Sequence, residues 1–463
     1  MSLIHKSARE IRTMLSDGEV TKADLLDALE ARHAEVDQKI NALPTTCFDR
    51  ARDWDADPDS VLGGLPVAIK DLSMVAGVRS TYGSPIYENH MPEKSDHIVE
   101  RIEERGGVVY AKSNTPEFGA GASTFNEVFG RTHNPWNLSR SVAGSSGGSA
   151  AALVSGQAWL AHGSDMGGSL RNPASFCGCV GLRPGAATVP CGPTANEFDV
   201  LGMEGPMARN VGDLGMFLDA MAGAHHAEPF AQPTPATSYR HQAETPVVPK
   251  RVAWSADFGG VTPVDPHVRE ITEAAAKRFE KLGAVVEEAH PDYSGTHDAF
   301  QTLRAMAFAT GHKNHYDNHR DKLKPDVIWN IEKAFQISGL DIVHANQLRN
   351  RQIQAHAEFF QTYDLLLSPA TIVQPYPVGD RTVTSCDGVE FETYIDWLAI
   401  AFAVTLTSAP ALSLPCGFTD DGLPVGLQMV GALHGEGPLL SHAAALESEL
   451  GLDLGPIDPR EGS

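Results

Sequence analysis

The sequence predicts an α/β protein in which helices cover both faces of one sheet, and three observations carry that reading. Short continuous apolar runs recur, LPVAIK, VVYAK and DLLLSPA among them, as expected of strands buried on both faces. Amphipathic stretches of helical length alternate with these runs. Glycine or proline marks the joins, as at Gly106-Gly107 and Pro369.

The first forty residues read as two helices. Thr21 with Asp24 forms a capping pair, followed by Leu25, Ala28 and Leu29 at helical spacing. After Gly63-Gly64, LPVAIK reads as a buried strand ending on Lys70. DHIVERIEER (96–105) is an amphipathic helix stopped by Gly106-Gly107, and VVYAK is the next strand. Residues 130–190 are dense in Gly and Ser, low in charge and without a regular period. Small residues at that density let backbone pack against backbone or a ligand. From about Ala224 to Lys250, Pro, His and Thr indicate a surface excursion. RVAWSA is then a strand, and PVDPHVREITEAAAKRFEKLG a helix with Ile271, Ala275 and Phe279 on one face. AVVEEA is the strand after it. Residues 340–362 are helical and lead into DLLLSPA; ALSLPCG and PVGLQMVG form a strand pair, and a last helix covers about 437–450. No internal repeat is present. One domain over 1–463 is expected, with N-terminal helices at about 1–60 and a core at about 61–215. A peripheral insertion at about 224–345 and a return to the sheet at about 346–463 complete it.

Composition narrows the function. With 42% hydrophobic and 21% charged residues, the 463-residue chain is ordinary globular protein. Its 36 Lys and Arg against 59 Asp and Glu give a formal charge of -23. Such a surface repels phosphate backbones and anionic lipid, so neither nucleic acid nor membrane is an expected partner. No run approaches the ~20 apolar residues of a membrane span, and MSLIHKSARE lacks the apolar block of a secretory signal. Six cysteines are too few for a disulfide framework. Cys177 and Cys179, in SFCGCVGL, lack a second Cys/His pair at finger-like spacing and are expected as buried reduced thiols, with no metal. A cytoplasmic protein is the expectation.

Three features offer chemistry. The first is Lys70, at the end of an apolar strand. Its bland reading is an ammonium snorkelling to water; its catalytic reading is an amine made basic by desolvation, unless Asp71 turns inward to hold the charge. The second is AGSSGGSAAALVSG (143–156). Gly144-Ser145-Ser146-Gly147-Gly148 satisfies G-x-S-x-G with Ser146 as nucleophile, but the polar NPWNLSRSVA before it is no buried strand, so the elbow reading is weak. A glycine-rich turn before a helix, or a phosphate cradle lacking the Walker Lys-Ser/Thr ending, fits the same string. The third is GSDMGGSLRNPASFCG (163–178), where Met166-Gly167-Gly168-Ser169 can turn consecutive N–H groups to one side, as an oxyanion hole requires, or simply make a tight turn. None of the nineteen histidines stands in a string assignable as a triad partner. A lysine base with a bridging serine is the alternative.

GGLPVAIKD, the Ser-Ser-Gly-Gly-Ser block and GSDMGGSLRNPASFCGCVGLRP together resemble the amidase signature family, with Ser169 24 residues after Ser145 and 99 after Lys70. KSNTPEFGAGAS, NPWNLSRS, GPMARNVGDL and SLPCGFTDDGLPVGLQMVG extend the resemblance over nearly the whole chain. It implies a single large α/β domain with a twisted, mixed central sheet. It implies Ser169 as nucleophile, Ser145 after a cis peptide bond as proton relay, and Lys70 as base. Met166, Gly167, Gly168 and Ser169 would hold the oxyanion through backbone N–H, and no cofactor is implied. The chain departs from the family pattern at Ala143, where glycine is common, and at Met166, where threonine is common. Met74 and Phe118 suggest an apolar acyl pocket, unless they belong to the core, and Ser146 is a further expected substrate contact. The implied function is hydrolysis of a small carboxamide, with a homodimer as one assembly. The alternative is the glutaminase A subunit of a tRNA-dependent (glutamyl/aspartyl-tRNA) amidotransferase, which works with a tRNA-binding B subunit. For that role Arg349, on the 340–362 helix, is placed to grip an amino acid's carboxylate, unless it is a plain surface arginine.

Overall fold

Eleven strands form one mixed sheet. Their spatial order is Thr45–Thr46, Val108–Ser113, Pro66–Lys70, Leu160–Asp165, Met203–Ala208, Val180–Arg183, Ala411–Phe418, Pro424–Val430, Leu365–Pro369, Arg251–Trp254 and Val285–Glu288. The computed structural model describes residues 2–461. Pro66–Lys70 runs parallel to both neighbours. The middle of the sheet is antiparallel, and the far edge is parallel again.

Every residue of Pro66–Lys70 and of Val108–Ser113 is buried. That is why their sequences run apolar without alternation: helices cover both faces. The helix Lys22–Ile40 starts where expected. Thr21 Oγ1 accepts the Asp24 N–H at 3.2 Å, and the Asp24 carboxylate accepts the Thr21 N–H at 2.8 Å. Leu25 and Leu29 face the core.

The Gly/Ser-rich stretch contains more order than its sequence suggests. It forms the helices Gly147–Val154 and Arg171–Cys177 and the strands Leu160–Asp165 and Val180–Arg183. Ala, Gly and Ser give no hydrophobic period, yet every residue of Gly147–Val154 is buried. Close approach is the reason: a Cβ on Gly148 would lie 2.3 Å from Asn114 N. NPWNLSRS forms only a short ribbon strand, Asn137–Ser141, outside the main sheet, so no buried strand feeds Ser146.

The expected insertion at 224–345 needs correction. Arg251–Trp254 and Val285–Glu288 extend the central sheet by parallel pairing beside Leu365–Pro369. Only the flanking parts lie outside it: the 224–250 excursion and the helices Thr296–His319 and Pro325–Ala334. Neither of those two helices is evident in the sequence. Thr296–His319 buries Thr296, Phe300, Arg304 and Phe308, a stripe at helical spacing that two polar side chains interrupt. With Pro325–Ala334 it forms a small satellite core of Ala120, Phe308, Leu323, Val327 and Ile331.

Because Pro66–Lys70 and Leu160–Asp165 are parallel neighbours, their carboxyl ends lie at the same end of the sheet. Lys70 and the Met166–Ser169 loop therefore meet there, the usual place for a ligand in an open α/β sheet. All six cysteines are free, and Cys177 and Cys179 are buried, as expected. Among the described residues no helix is long and apolar enough to cross a membrane.

Candidate active site

Lys70 ends its strand fully buried. Its Nζ reaches Ser145 Oγ at 2.7 Å, Ser146 Oγ at 2.9 Å, Ser164 Oγ at 3.0 Å and Ser164 O at 3.3 Å. All are neutral acceptors. Burial pushes the amine down to about 7, against smaller upward pulls from Glu204 and Asp165. Asp71 does not turn towards it. Its carboxylate pairs instead with Lys112 at 2.8 Å and accepts the Thr81 hydroxyl at 2.5 Å.

Ser145 follows a cis peptide bond from Gly144, as the sequence resemblance implied. Ala143, at the departure from the family pattern, has a φ of 56°, a region where glycine is at ease and alanine is strained. Ser146 is fully buried, and its Oγ lies between Lys70 Nζ and Ser164 O, the latter at 3.2 Å. It therefore lines the lysine and not the substrate space, which corrects its expected role. A Cβ on Gly163 would come within 2.7 Å of Ser146 Oγ, so that glycine gives the hydroxyl its room. Ser164 is the member of this cluster that sequence reasoning missed. The only signal was its place in the GSD string ahead of Met166.

The Met166–Ser169 loop is built on Asp165. This carboxylate pairs with Arg171 through Nη2 at 2.9 Å and Nε at 3.0 Å, both groups buried. It also accepts the Gly168 N–H at 2.8 Å and the Leu170 N–H at 3.1 Å. Burial alone would raise its proton affinity, but the Arg171 guanidinium outweighs that and holds Asp165 well below the usual carboxylate range. Gly168 has a φ of 105°, and a Cβ there would lie 2.6 Å from Asn172 Oδ1, so only glycine fits. Its N–H is committed to Asp165, which takes it out of the expected oxyanion set. Among the described residues the N–H groups of Met166, Gly167 and Ser169 have no acceptor. Met166, Gly167 and Ser169 all border the same cavity.

That cavity, of about 250 Å³, holds Ser145 and Ser169 on its wall. Leu72, Phe118, Met166, Met203, Phe300, Phe308 and Leu398 make it largely apolar, with Arg304, Asp199 and Glu204 as charged members beside the buried Asp165. Phe118 is where it was expected. Met74 is not: its N–H donates to Asp96 Oδ2 at 2.9 Å, and Leu72 takes the position on the wall. Arg349 is also elsewhere. It donates to Leu406 O at 3.2 Å and Ser408 Oγ at 3.0 Å, capping the end of the Ala399–Thr407 helix. Phe300, Arg304 and Phe308 were not foreseen, because the helix that carries them has no clean apolar stripe.

Among the described residues, one group of His, Cys and acidic side chains is close enough to share a cation: His97, His225 and Glu228. Its geometry is explained without one. Glu228 Oε1 accepts the Cys191 and Gly192 N–H groups at 2.8 and 2.9 Å and lies 3.1 Å from His97 Nδ1. The two imidazoles stack, with centroids 3.9 Å apart.

The family profile described as Amidase matches residues 24–440. An acylamidase of Rhodococcus erythropolis is 32% identical over 95% of this chain and 94% of its own length. The A subunit of the Halothermothrix orenii glutamyl-tRNA(Gln) amidotransferase is 30% identical over 98% of each chain. Among solved structures, 6-aminohexanoate cyclic dimer hydrolase in complex with substrate superposes with a TM-score of 0.89, at 28% identity over 97% of this chain and 98% of that one.

Proposed function

The chain belongs to the amidase signature family of amide C–N hydrolases, and from that premise we propose that it cleaves a small carboxamide through an acyl-enzyme on Ser169. The observation that carries this reading is the 2.7 Å contact of a desolvated Lys70 with Ser145, on the cavity that Ser169 shares.

In the proposed cycle, neutral Lys70 accepts the Ser145 hydroxyl proton while Ser145 takes that of Ser169. Ser169 Oγ bonds to the amide carbon, and the oxyanion is received by the Met166, Gly167 and Ser169 N–H groups. Collapse breaks the C–N bond as the proton returns from Lys70 through Ser145 to the leaving nitrogen. Water then attacks the ester by the same route, releasing the carboxylic acid and restoring Ser169.

The test uses the purified chain alone, with aliphatic, aromatic and amino-acid amides and assay of both products. Turnover that Ser169→Ala removes is the expected result; turnover that survives the substitution contradicts the reading.

A second reading, the glutaminase subunit of an amidotransferase, is favoured by the 30% identity to such A subunits. Against it, Arg349 is bound to a helix end and does not border the cavity. Glutamine hydrolysis that appears only with a partner subunit would support it.

A further inference from the structure

Thr296, Phe300, Arg304 and Phe308 face inward from the helix Thr296–His319, and the charged member of that row borders the cavity of Ser145 and Ser169. Arg304 is 6% exposed. Its Nη1 donates to Asn330 Oδ1 and its Nη2 to Tyr394 OH at 2.9 Å, both uncharged groups. Its guanidinium lies 4.4 Å from the centroid of the Phe308 ring. Among the described residues no carboxylate pairs with it. Arginine has five N–H donors and keeps its proton, so positive charge stays on this wall. A charge held out of water is costly unless a counter-charge meets it.

Two other buried arginines show the difference. Arg171 is neutralised by Asp165. Arg183 has no direct carboxylate, but it caps the carbonyls of Pro184, Ala409 and Leu201 and borders no part of this cavity. The cavity's own carboxylates belong to other segments, and among the described residues none forms an ion pair with Arg304. Glu204 lies 2.8 Å from His162 Nε2, and Asp199 accepts the Leu201 N–H at 2.9 Å.

We propose that Arg304 is a subsite for an anionic group, so that the amide cleaved at Ser169 carries a carboxylate at its far end. Arg304 has donors left over for it, and the planar guanidinium matches a carboxylate. Phe118, Phe300 and Phe308 border the same cavity and suit an apolar linker between the two ends. This inference rests on the amidase reading and narrows its substrate class.

The experiment measures binding by calorimetry to Ser169→Ala protein, which holds an amide without turning it over. Two matched pairs serve as probes. Adipamic acid against hexanamide places the carboxylate on the acyl side. N-acetyl-γ-aminobutyrate against N-butylacetamide places it on the amine side. The expected result is that at least one acid binds about tenfold or more tightly than its neutral partner. Adding Arg304→Gln should erase that preference while leaving the neutral amide within about threefold, and Arg304→Lys should keep part of it. The proposal is overturned if neither acid is preferred. It is equally overturned if Arg304→Gln weakens acid and neutral amide alike, since Arg304 would then serve only to tie Asn330 to Tyr394. Failure of the wild-type protein to hydrolyse any amide would count against the amidase reading alone, because the binding comparison needs no turnover.

Discussion

Lys70 Nζ stands 2.7 Å from Ser145 Oγ, and every atom that accepts from this amine is a hydroxyl or a carbonyl. The neighbouring Asp71, which could have fixed the charge, is held by Lys112. A lysine in such a shell is positioned to exchange protons near neutral pH.

The first consequence is a pH dependence. In the proposed cycle the base is the neutral amine, and burial brings its proton loss to about 7. Amide hydrolysis should therefore fall as pH drops below about 7 and level off above it. A kcat/KM profile that is flat from about pH 5.5 to 8.5 would refute the base role.

The same lysine should weigh on stability. Its proton affinity is lower in the fold than in the unfolded chain, so between about 7 and the ordinary value of 10.5 the unfolded state binds the extra proton. Stability from this group thus rises with pH across that window. Lys70→Met should be inactive yet at least as stable as wild type at pH 7, by up to a few kcal/mol, with the gap closing towards pH 10. Urea unfolding at several pH values checks this. A Met variant that is less stable at neutral pH would contradict it.

Proton return to the leaving group makes a separate prediction. An amine must be protonated to leave, whereas a nitrophenolate need not be. Lys70→Ala should lower the amide rate by about 100-fold or more beyond its effect on an activated ester of the same acyl group. Equal losses on both would remove Lys70 from the leaving-group step.

Asp165 tests the loop that carries Ser169. Asp165→Asn would leave Arg171 buried without its counter-charge, a change that costs about 3–5 kcal/mol in comparable settings. It would also loosen the carboxylate's hold on the Gly168 and Leu170 N–H groups. A markedly lower Tm with loss of activity is expected; unchanged stability would mean that the pair does not support the loop.

How much of this was legible beforehand depended on the kind of residue. Strands of Val, Ile and Leu announce themselves by continuous apolarity, and Thr21 with Asp24 announces a helix start. The helix in SAAALVSG was readable only as one of several options, and Leu160–Asp165 and Arg171–Cys177 do not announce themselves, because small residues bury fully without a hydrophobic pattern. The Lys70, Ser145 and Ser169 set was legible through its flanking strings. The cavity wall was not. Phe300, Arg304 and Phe308 lie on a helix whose inward stripe mixes charge with aromatics, and nothing local to them shows that it packs over the serines. Arg349 shows the converse: a plausible arginine on a correctly read helix that turns out to cap a neighbouring helix end.

In the proposed cycle Ser169 Oγ is the atom that attacks the amide carbon. Treating the protein with a sulfonyl fluoride and mapping the adduct by peptide mass spectrometry tests it directly. One adduct, on the peptide at Ser169, is expected, and none in Ser169→Ala. An adduct on Ser145 or Ser146, or equal labelling of Ser169→Ala and wild type, would contradict it.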